Sequence, residues 1–175
     1  MCKTAIILVA TLVLALVPAW ALAAPAQAES QSWSGRVLVV IDGDSLIVRR
    51  QGKRVKVRLA QVDCPEPQQP FGREAKRFTT RAALGKTVVV ENAVVDPYYK
   101  KRMRASVILP DGRDLGLELV KEGLAWNYRR YSTNPLLPDL EKDARRQKLG
   151  LWSQPNPTPP WQWRKQRKRK DTGGR

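Results

Sequence analysis

Histidine is absent from the 175-residue sequence, and its absence removes several catalytic mechanisms. A Ser-His-Asp triad cannot form without an imidazole. Zinc sites with histidine ligands and centres that use histidine as acid or base are excluded for the same reason. Any catalysis must therefore depend on carboxylates, arginine, lysine, tyrosine, serine or cysteine, with or without a hard metal ion.

Cysteine and long apolar runs are also scarce. The sequence has two cysteines, Cys2 and Cys64, and one long apolar run at residues 5–17. Lys3 before this run and the alanine-rich residues 19–28 after it form the three-part pattern of a secretory signal peptide. We therefore predict that residues 1–28 are a signal peptide.

Two small-x-small triplets offer cleavage sites for this peptide. Ala26-Gln27-Ala28 predicts cleavage before Glu29, and Ala21-Leu22-Ala23 is the competing site. The apolar run is short for a membrane-spanning helix, which makes a retained anchor the less favoured alternative. The mature protein is expected to be secreted or periplasmic, without a stable membrane anchor. It keeps only Cys64, so it cannot form an intramolecular disulfide.

Acidic residues are outnumbered two to one by basic residues. The chain has 32 Lys and Arg against 16 Asp and Glu, a net charge of +16. Residues 1–28 hold one lysine and no acid, so the predicted mature chain carries +15. Such a field attracts polyanions and accelerates encounter with them. Nucleic acid is the first candidate and an anionic membrane surface the second, and charge alone does not separate them.

The order of predicted elements is typical of a small barrel. Alternating and β-branched patterns predict five short strands, and helical spacing predicts three helices. The strands are expected at residues 35–41, 45–50, 54–59, 87–90 and 102–109, and the helices at 72–85, 114–122 and 138–150. Three consecutive strands joined by tight turns form a meander. The fold predicted is therefore α+β, a five-stranded Greek-key barrel of the oligonucleotide-binding (OB) type.

The composition changes at Gln154. Four prolines at residues 155–160 argue against regular structure, and residues 164–170 are strongly basic. We expect residues 154–175 to be a disordered, proline-rich, basic tail that grips phosphates non-specifically, with a merely solvating tail as the alternative. Trp161 and Trp163 either stack on bases or pack on the domain.

Three carboxylates follow strands that a barrel can bring to one rim. Asp44 lies in the turn Asp42-Gly43-Asp44-Ser45, and Asp63 and Glu66 follow the third strand. Because like charges repel, a carboxylate cluster in a basic protein indicates a cation between them. Oxygen ligands favour a hard ion, Ca²⁺ or Mg²⁺.

Hydrolysis of a phosphodiester needs the groups that this rim would hold. A base must activate water, which Glu66 can do. Guanidinium groups must bind the phosphoryl oxygens as charge develops, a role that suits Arg58 and Arg102. Each segment alone is an ordinary turn, loop or solvated strand, and it is their joint presence that favours catalysis.

These segments resemble the staphylococcal nuclease (thermonuclease) family, in family order, over about residues 33–153. The matching segments are residues 41–45, 57–59, 62–66, 72–75, 123–126, 144–145 and 150–152. Several blocks in register are far more specific than any one of them. The resemblance implies a nuclease domain over this range.

The resemblance also implies the roles of the site residues. One Ca²⁺ would be held by Asp44, Asp63 and the backbone carbonyl of Cys64. Glu66 would be the general base and Arg58 a phosphate-binding arginine. Members of the family cleave the P–O5′ bond of DNA and RNA with little sequence specificity.

The chain departs from the family at the second phosphate-binding arginine. In the family an aspartate and then a Tyr-Gly pair precede it, whereas the segment at residues 96–101 here is longer and lacks the glycine. Counting back from the following strand selects Arg102, with Arg104 as the alternative. The tyrosines that contact nucleotide in the family are matched here by Tyr128 and Tyr131.

Two other functions compete with an active nuclease. A non-catalytic nucleic-acid-binding OB-fold module would keep the barrel and lose the acidic and arginine residues, which are present here. A cationic protein acting on membranes explains the basic tail but not the carboxylates. We therefore expect a monomeric, calcium-dependent nuclease with DNA and RNA as substrates.

Overall fold

The computed structural model describes residues 31–173. The predicted signal peptide and both of its cleavage sites lie outside the described residues. The strands are β1 Gln31–Val40, β2 Ser45–Arg50, β3 Lys53–Leu59, β4 Val62–Asp63, β5 Thr87–Val95, β6 Arg102–Ile108 and β7 Trp126–Asn127. The helices are α1 Gly72–Ala83, α2 Leu115–Lys121, α3 Leu136–Arg146 and α4 Pro160–Gly173, with a 3-10 turn at Gly150–Ser153.

Five of the strands close a barrel in the order β1-β2-β3-β6-β5. The predicted meander is confirmed, since β1 pairs with β2 and β2 with β3, both antiparallel. Closure comes from β5, which is antiparallel to β1 and β6, and from the parallel pair of β3 and β6. The predicted α+β fold around a five-stranded OB-type barrel is confirmed.

Apolar side chains that alternate along the strands fill the barrel. The fully or almost fully buried ones on the strands include Val37, Leu46, Val48, Val57, Val88, Val90 and Val107. Helices α1 and α2 add buried side chains at Ala75, Leu115 and Leu119. Each buried valine or leucine stabilises the fold by roughly 1.5–3 kcal/mol relative to exposure, which gives the rim a rigid support.

Two short strands outside the barrel were not predicted. β4 pairs antiparallel with β7, so that Val62 lies opposite Asn127 and Asp63 opposite Trp126. Two residues are too few to show a period of alternation, which is why the sequence pattern missed them. The pairing brings the segment with Tyr128 beside Asp63 of β4, and the Tyr128 N–H donates to the Gln61 carbonyl at 2.9 Å.

The prediction of a disordered tail over residues 154–175 is wrong for most of its described part, and α4 is a fourth helix where three were predicted. Pro160 begins α4, because proline at the first helical position lacks only an N–H that would be unpaired there. Trp161 packs on Trp126 with ring centroids 5.7 Å apart. Within residues 31–173, no helix is long and apolar enough to cross a membrane.

Candidate active site

Arg58, near the end of β3, joins two buried carboxylates. Its Nη1 donates to Asp44 Oδ1 at 2.7 Å, and its Nη2 donates to Asp63 Oδ1. The carboxylate side chains are 2% and 0% exposed, respectively. The other oxygen of Asp44 accepts the Cys64 N–H at 2.9 Å. The first hairpin and the exit of β3 therefore meet at one rim, where the sequence analysis expected them.

The turn that carries Asp44 is packed too closely for any residue but glycine at position 43. A Cβ on Gly43 would lie 2.7 Å from the Ala75 Cβ and 2.8 Å from the Cys64 side chain. The Thr79 hydroxyl of α1 donates to the Gly43 carbonyl at 2.6 Å. Helix α1 thereby fixes the turn and the direction of the Asp44 carboxylate.

The loop that carries Glu66 is fixed by its own backbone. The Gln69 N–H donates to the Glu66 carbonyl at 2.8 Å, and the Glu66 N–H donates to Gln69 Oε1 at 3.2 Å. A Cβ on Gly72 would lie 1.9 Å from the Glu66 carbonyl oxygen, so this first residue of α1 must be glycine. The Glu66 side chain is 29% exposed and accessible to water.

Burial disfavours the charged form of the Asp44 and Asp63 carboxylates. It raises the pKa of Asp44 to about 6, against the opposing attraction of Arg58. It also raises the pKa of Asp63, although hydrogen bonds from Arg164 and the charge of Arg58 oppose the shift. Burial likewise raises the pKa of the Cys64 thiol, which is neutral and not suited to act as a nucleophile.

A cavity of about 330 Å³ lies beside these carboxylates and collects the predicted catalytic side chains. The predicted site residues that line it are Arg58, Glu66, Arg102, Tyr128 and Tyr131, together with the alternative arginine, Arg104. Asp44 and Asp63 do not line the cavity themselves. They are bound to Arg58, which does. The structure thus brings the predicted base, arginines and tyrosines to one place.

Arg102 and Arg104 both reach this cavity because they are two residues apart on β6. Arg102 donates from Nε and Nη2 to Asp96 Oδ2 at 3.0 and 2.6 Å, and its guanidinium lies 4.3 Å from the Tyr99 ring centroid. Arg104 lies 5.5 Å from the Tyr131 ring centroid, and among the described residues its buried Nε has no acceptor. Arg102 is therefore held in a defined direction by a carboxylate, and Arg104 by an aromatic face.

Asp96 is a site residue that the sequence analysis missed. It is buried, and burial opposes its ionisation, but the hydrogen bonds from Arg102 and from the Tyr98 N–H outweigh that effect and lower the pKa of Asp96. A carboxylate six positions before an arginine in an irregular loop forms no periodic pattern. The only available signal was the aspartate that precedes the Tyr-Gly pair in the family.

Arg164 of α4 is the second residue that was missed. Its Nη2 donates to Asp63 Oδ2 at 2.7 Å, and its Nη1 donates to Asp63 Oδ1 at 3.2 Å and to Glu66 Oε1 at 2.7 Å. Its sequence context predicts only a non-specific basic tail. No local pattern distinguishes Arg164 from the other cations of residues 164–170, because its role depends on where α4 lies against the barrel.

Asp44 and Asp63 are the side chains suited to hold a cation. No cluster of three or more histidine, cysteine, aspartate or glutamate side chains with metal-site geometry occurs within residues 31–173. The predicted ligand set, however, has only two side chains, its third member being the backbone carbonyl of Cys64. Two buried carboxylates bound to one guanidinium fit a hard cation, which would neutralise them as Arg58 does in part.

Comparisons with known proteins identify the family. Residues 56–154 match the model of a family described as staphylococcal nuclease homologue. The chain belongs to the staphylococcal nuclease family. The matched range begins within β3 and ends just after the 3-10 turn, so that α4 lies outside it. The family predicted from the motif blocks is confirmed, and with it the class of enzyme, a nuclease hydrolase.

Members of the staphylococcal nuclease family from three organisms illustrate the similarity. An uncharacterized endonuclease of Escherichia coli O157:H7 is 43% identical over 130 residues, which cover 74% of this chain and 84% of that protein. A micrococcal nuclease of Shigella flexneri is 35% identical over 164 residues, 89% of this chain and 88% of that protein. A staphylococcal-like nuclease of Arabidopsis thaliana is 33% identical over 116 residues, 66% of this chain and 35% of that protein.

Proposed function

We propose that this nuclease uses Ca²⁺ to hydrolyse phosphodiester bonds of DNA and RNA with low sequence specificity. The observation that carries the proposal is the meeting of two buried carboxylates, Asp44 and Asp63, with Arg58 at a cavity that also holds Glu66 and Arg102. A binding module would not need buried acids beside its phosphate-binding arginines, because they repel the nucleic acid backbone.

Each polar side chain of the cavity has a distinct task in this proposal. Asp44, Asp63 and the Cys64 carbonyl would hold the calcium ion, which would supply polarisation of a phosphoryl oxygen and neutralisation of charge. Glu66, open to solvent, accepts a proton from the attacking water. Arg58 and Arg102 donate hydrogen bonds to the phosphoryl oxygens, where negative charge grows as the bond to the leaving oxygen breaks.

Aromatic side chains and diffuse positive charge account for binding without base reading. Tyr128 and Tyr131 form an edge-to-face pair with ring centroids 4.8 Å apart at the cavity, and Tyr128 can stack with any base. The net charge of +16 attracts the phosphate backbone irrespective of sequence. Both features support a substrate range that includes DNA and RNA.

Export is part of the proposal. The charged, apolar and alanine-rich segments of residues 1–28 support a cleaved signal peptide and a nuclease in the periplasm or outside the cell. The N-terminus of the mature chain is the observable that separates this proposal from a retained anchor.

The calcium requirement is tested by plasmid cleavage with purified protein. We expect cleavage with Ca²⁺ and none with excess chelator. Asp63→Ala should abolish calcium-supported cleavage with the fold intact by circular dichroism, because it removes an oxygen ligand. Asp143→Ala is the matched control: it removes an exposed aspartate that pairs with Arg146 on α3, and it should leave cleavage unchanged. Full activity in excess chelator would end the proposal.

A further inference from the structure

Arg164 binds Asp63 and Glu66, two carboxylates that the proposed function assigns to calcium and to the attacking water. Its two terminal nitrogens engage both oxygens of Asp63, at 3.2 and 2.7 Å, and one oxygen of Glu66 at 2.7 Å. Arg58 contacts Asp63 Oδ1 as well. A guanidinium on both oxygens of Asp63 repels a calcium ion and takes lone pairs that the ion would use, so Arg164 and the ion compete for Asp63.

Trp161, one turn earlier on α4, covers a second part of the site. Its indole lies parallel to the Tyr128 ring, with an interplanar angle of 5° and centroids 5.2 Å apart. That face of Tyr128 is then closed to a nucleobase, whose stacking would need the same plane. Helix α4 therefore places a cation on a carboxylate proposed to hold the metal and an aromatic ring on a tyrosine proposed to bind a base.

The chain that leads to α4 keeps these groups close to the site. The Gln69 side-chain amide donates to the Thr158 carbonyl, next to the loop that carries Glu66. A short tether of this kind gives an attached group a high effective concentration at its site. Arg164 is 38% exposed, so water and ions reach the contact and it can open.

We propose that α4 is a tethered competitor of the nuclease site, which Ca²⁺ and nucleic acid must displace before cleavage. This inference rests on the proposed calcium dependence. In the closed form Arg164 binds Asp63 and Glu66, and Trp161 covers Tyr128. In the open form Asp63 would be free to hold calcium, Glu66 would be free to accept a proton, and the basic part of α4 would be available to phosphates. Helix α4 lies outside residues 56–154, the range that the family model matches.

The test measures Ca²⁺ binding to the full chain by isothermal titration calorimetry, without nucleic acid. Arg164→Ala should bind Ca²⁺ about tenfold more tightly than the unsubstituted protein, the worth of one charge-assisted hydrogen bond. Lys165→Ala is the matched control, because Lys165 is exposed and is the next residue on α4. It removes the same charge and should change the affinity less than twofold. Hydrogen exchange of α4 amides should also rise when Ca²⁺ is added to the unsubstituted protein.

Other outcomes overturn the inference in distinguishable ways. Equal affinity for Arg164→Ala and the unsubstituted protein, with normal cleavage, would remove the competitor and leave the calcium-dependent nuclease standing. Weaker binding by Arg164→Ala, or lost turnover at saturating Ca²⁺, would make Arg164 a supporting group of the site. Absence of Ca²⁺ binding in every variant would overturn the inference together with the proposed calcium dependence.

Discussion

Asp96 is expected to set the direction of the second phosphate-binding arginine, and Asp96→Asn tests this. Both hydrogen bonds from Arg102 end on Oδ2, while Oδ1 accepts the Tyr98 N–H at 2.9 Å. Asparagine has a single acceptor oxygen. If that oxygen stays with the Tyr98 N–H, the amide NH₂ faces the donors of Arg102, and both hydrogen bonds are lost without a change in side-chain size.

The size of the effect follows from these contacts. Hydrogen bonds to charged groups contribute about 1.5–3 kcal/mol, and Arg102 is 19% exposed, so water replaces part of what is lost. The lower end of that range corresponds to a loss of about tenfold in kcat/KM, since about 1.4 kcal/mol is a factor of ten. Arg102→Ala removes the phosphate contact itself and should cost about 10²–10³-fold. Arg104→Ala should cost far less, because the Arg104 guanidinium lies against the Tyr131 ring, whereas the Asp96 carboxylate fixes Arg102.

The assay is cleavage of a fluorogenic single-stranded oligonucleotide at saturating Ca²⁺, with folded variants compared by thermal unfolding. Asp111→Asn is the matched control, because Arg113 donates to Asp111 Oδ2 with the same two nitrogens at 3.0 and 2.7 Å on an exposed turn. Its activity should equal that of the unsubstituted protein. A dead Arg104→Ala beside a nearly normal Arg102→Ala would refute the assignment, and a normal Asp96→Asn would refute the role of Asp96.

Two further predictions concern the ends of the chain. Deleting residues 167–175 keeps Trp161 and Arg164 but removes basic residues of α4. It should weaken binding to DNA and reduce the salt dependence of that binding, since fewer counterions are released. A salt dependence equal to that of the full chain would show that these cations do not contact the DNA phosphates. The intact mass of the protein recovered after export should equal that of a chain that begins at Glu29. A mass that still includes residues 1–28 would contradict the signal peptide.

The barrel could be predicted because its strands carry regular patterns. β2 was expected at residues 45–50 and is found at Ser45–Arg50, since apolar side chains that alternate toward a core leave a period of two. The meeting of Asp44 and Asp63 followed from the same topology, because β1, β2 and β3 form a meander whose turn and exit share a rim. Strands with a clear alternation of apolar side chains thus predicted both the barrel and the meeting of Asp44 and Asp63.

The contacts that sequence patterns could not predict are those between distant segments without a period. Arg102 and Asp96 meet across an irregular loop, and Arg164 reaches Asp63 across 101 positions of the chain. The error over the tail has a specific cause: prolines count against regular structure except at the start of a helix, where Pro160 lies. The basic composition of residues 164–170 predicts positive charge there, but it does not indicate that Arg164 is the arginine that reaches the site.

The account depends most directly on Glu66 as the group that accepts a proton from water. Glu66→Gln keeps the size of the side chain and removes its basic carboxylate, with Glu74→Gln, an exposed glutamate of α1 that pairs with Arg77, as the control. The measurement is the single-turnover rate of DNA cleavage at saturating Ca²⁺, after calorimetry has shown that both variants bind the ion. The account predicts a loss of about 10²–10⁴-fold for Glu66→Gln and an unchanged rate for Glu74→Gln. A Glu66→Gln rate within about threefold of the unsubstituted protein, far below the usual worth of general-base catalysis, would contradict it.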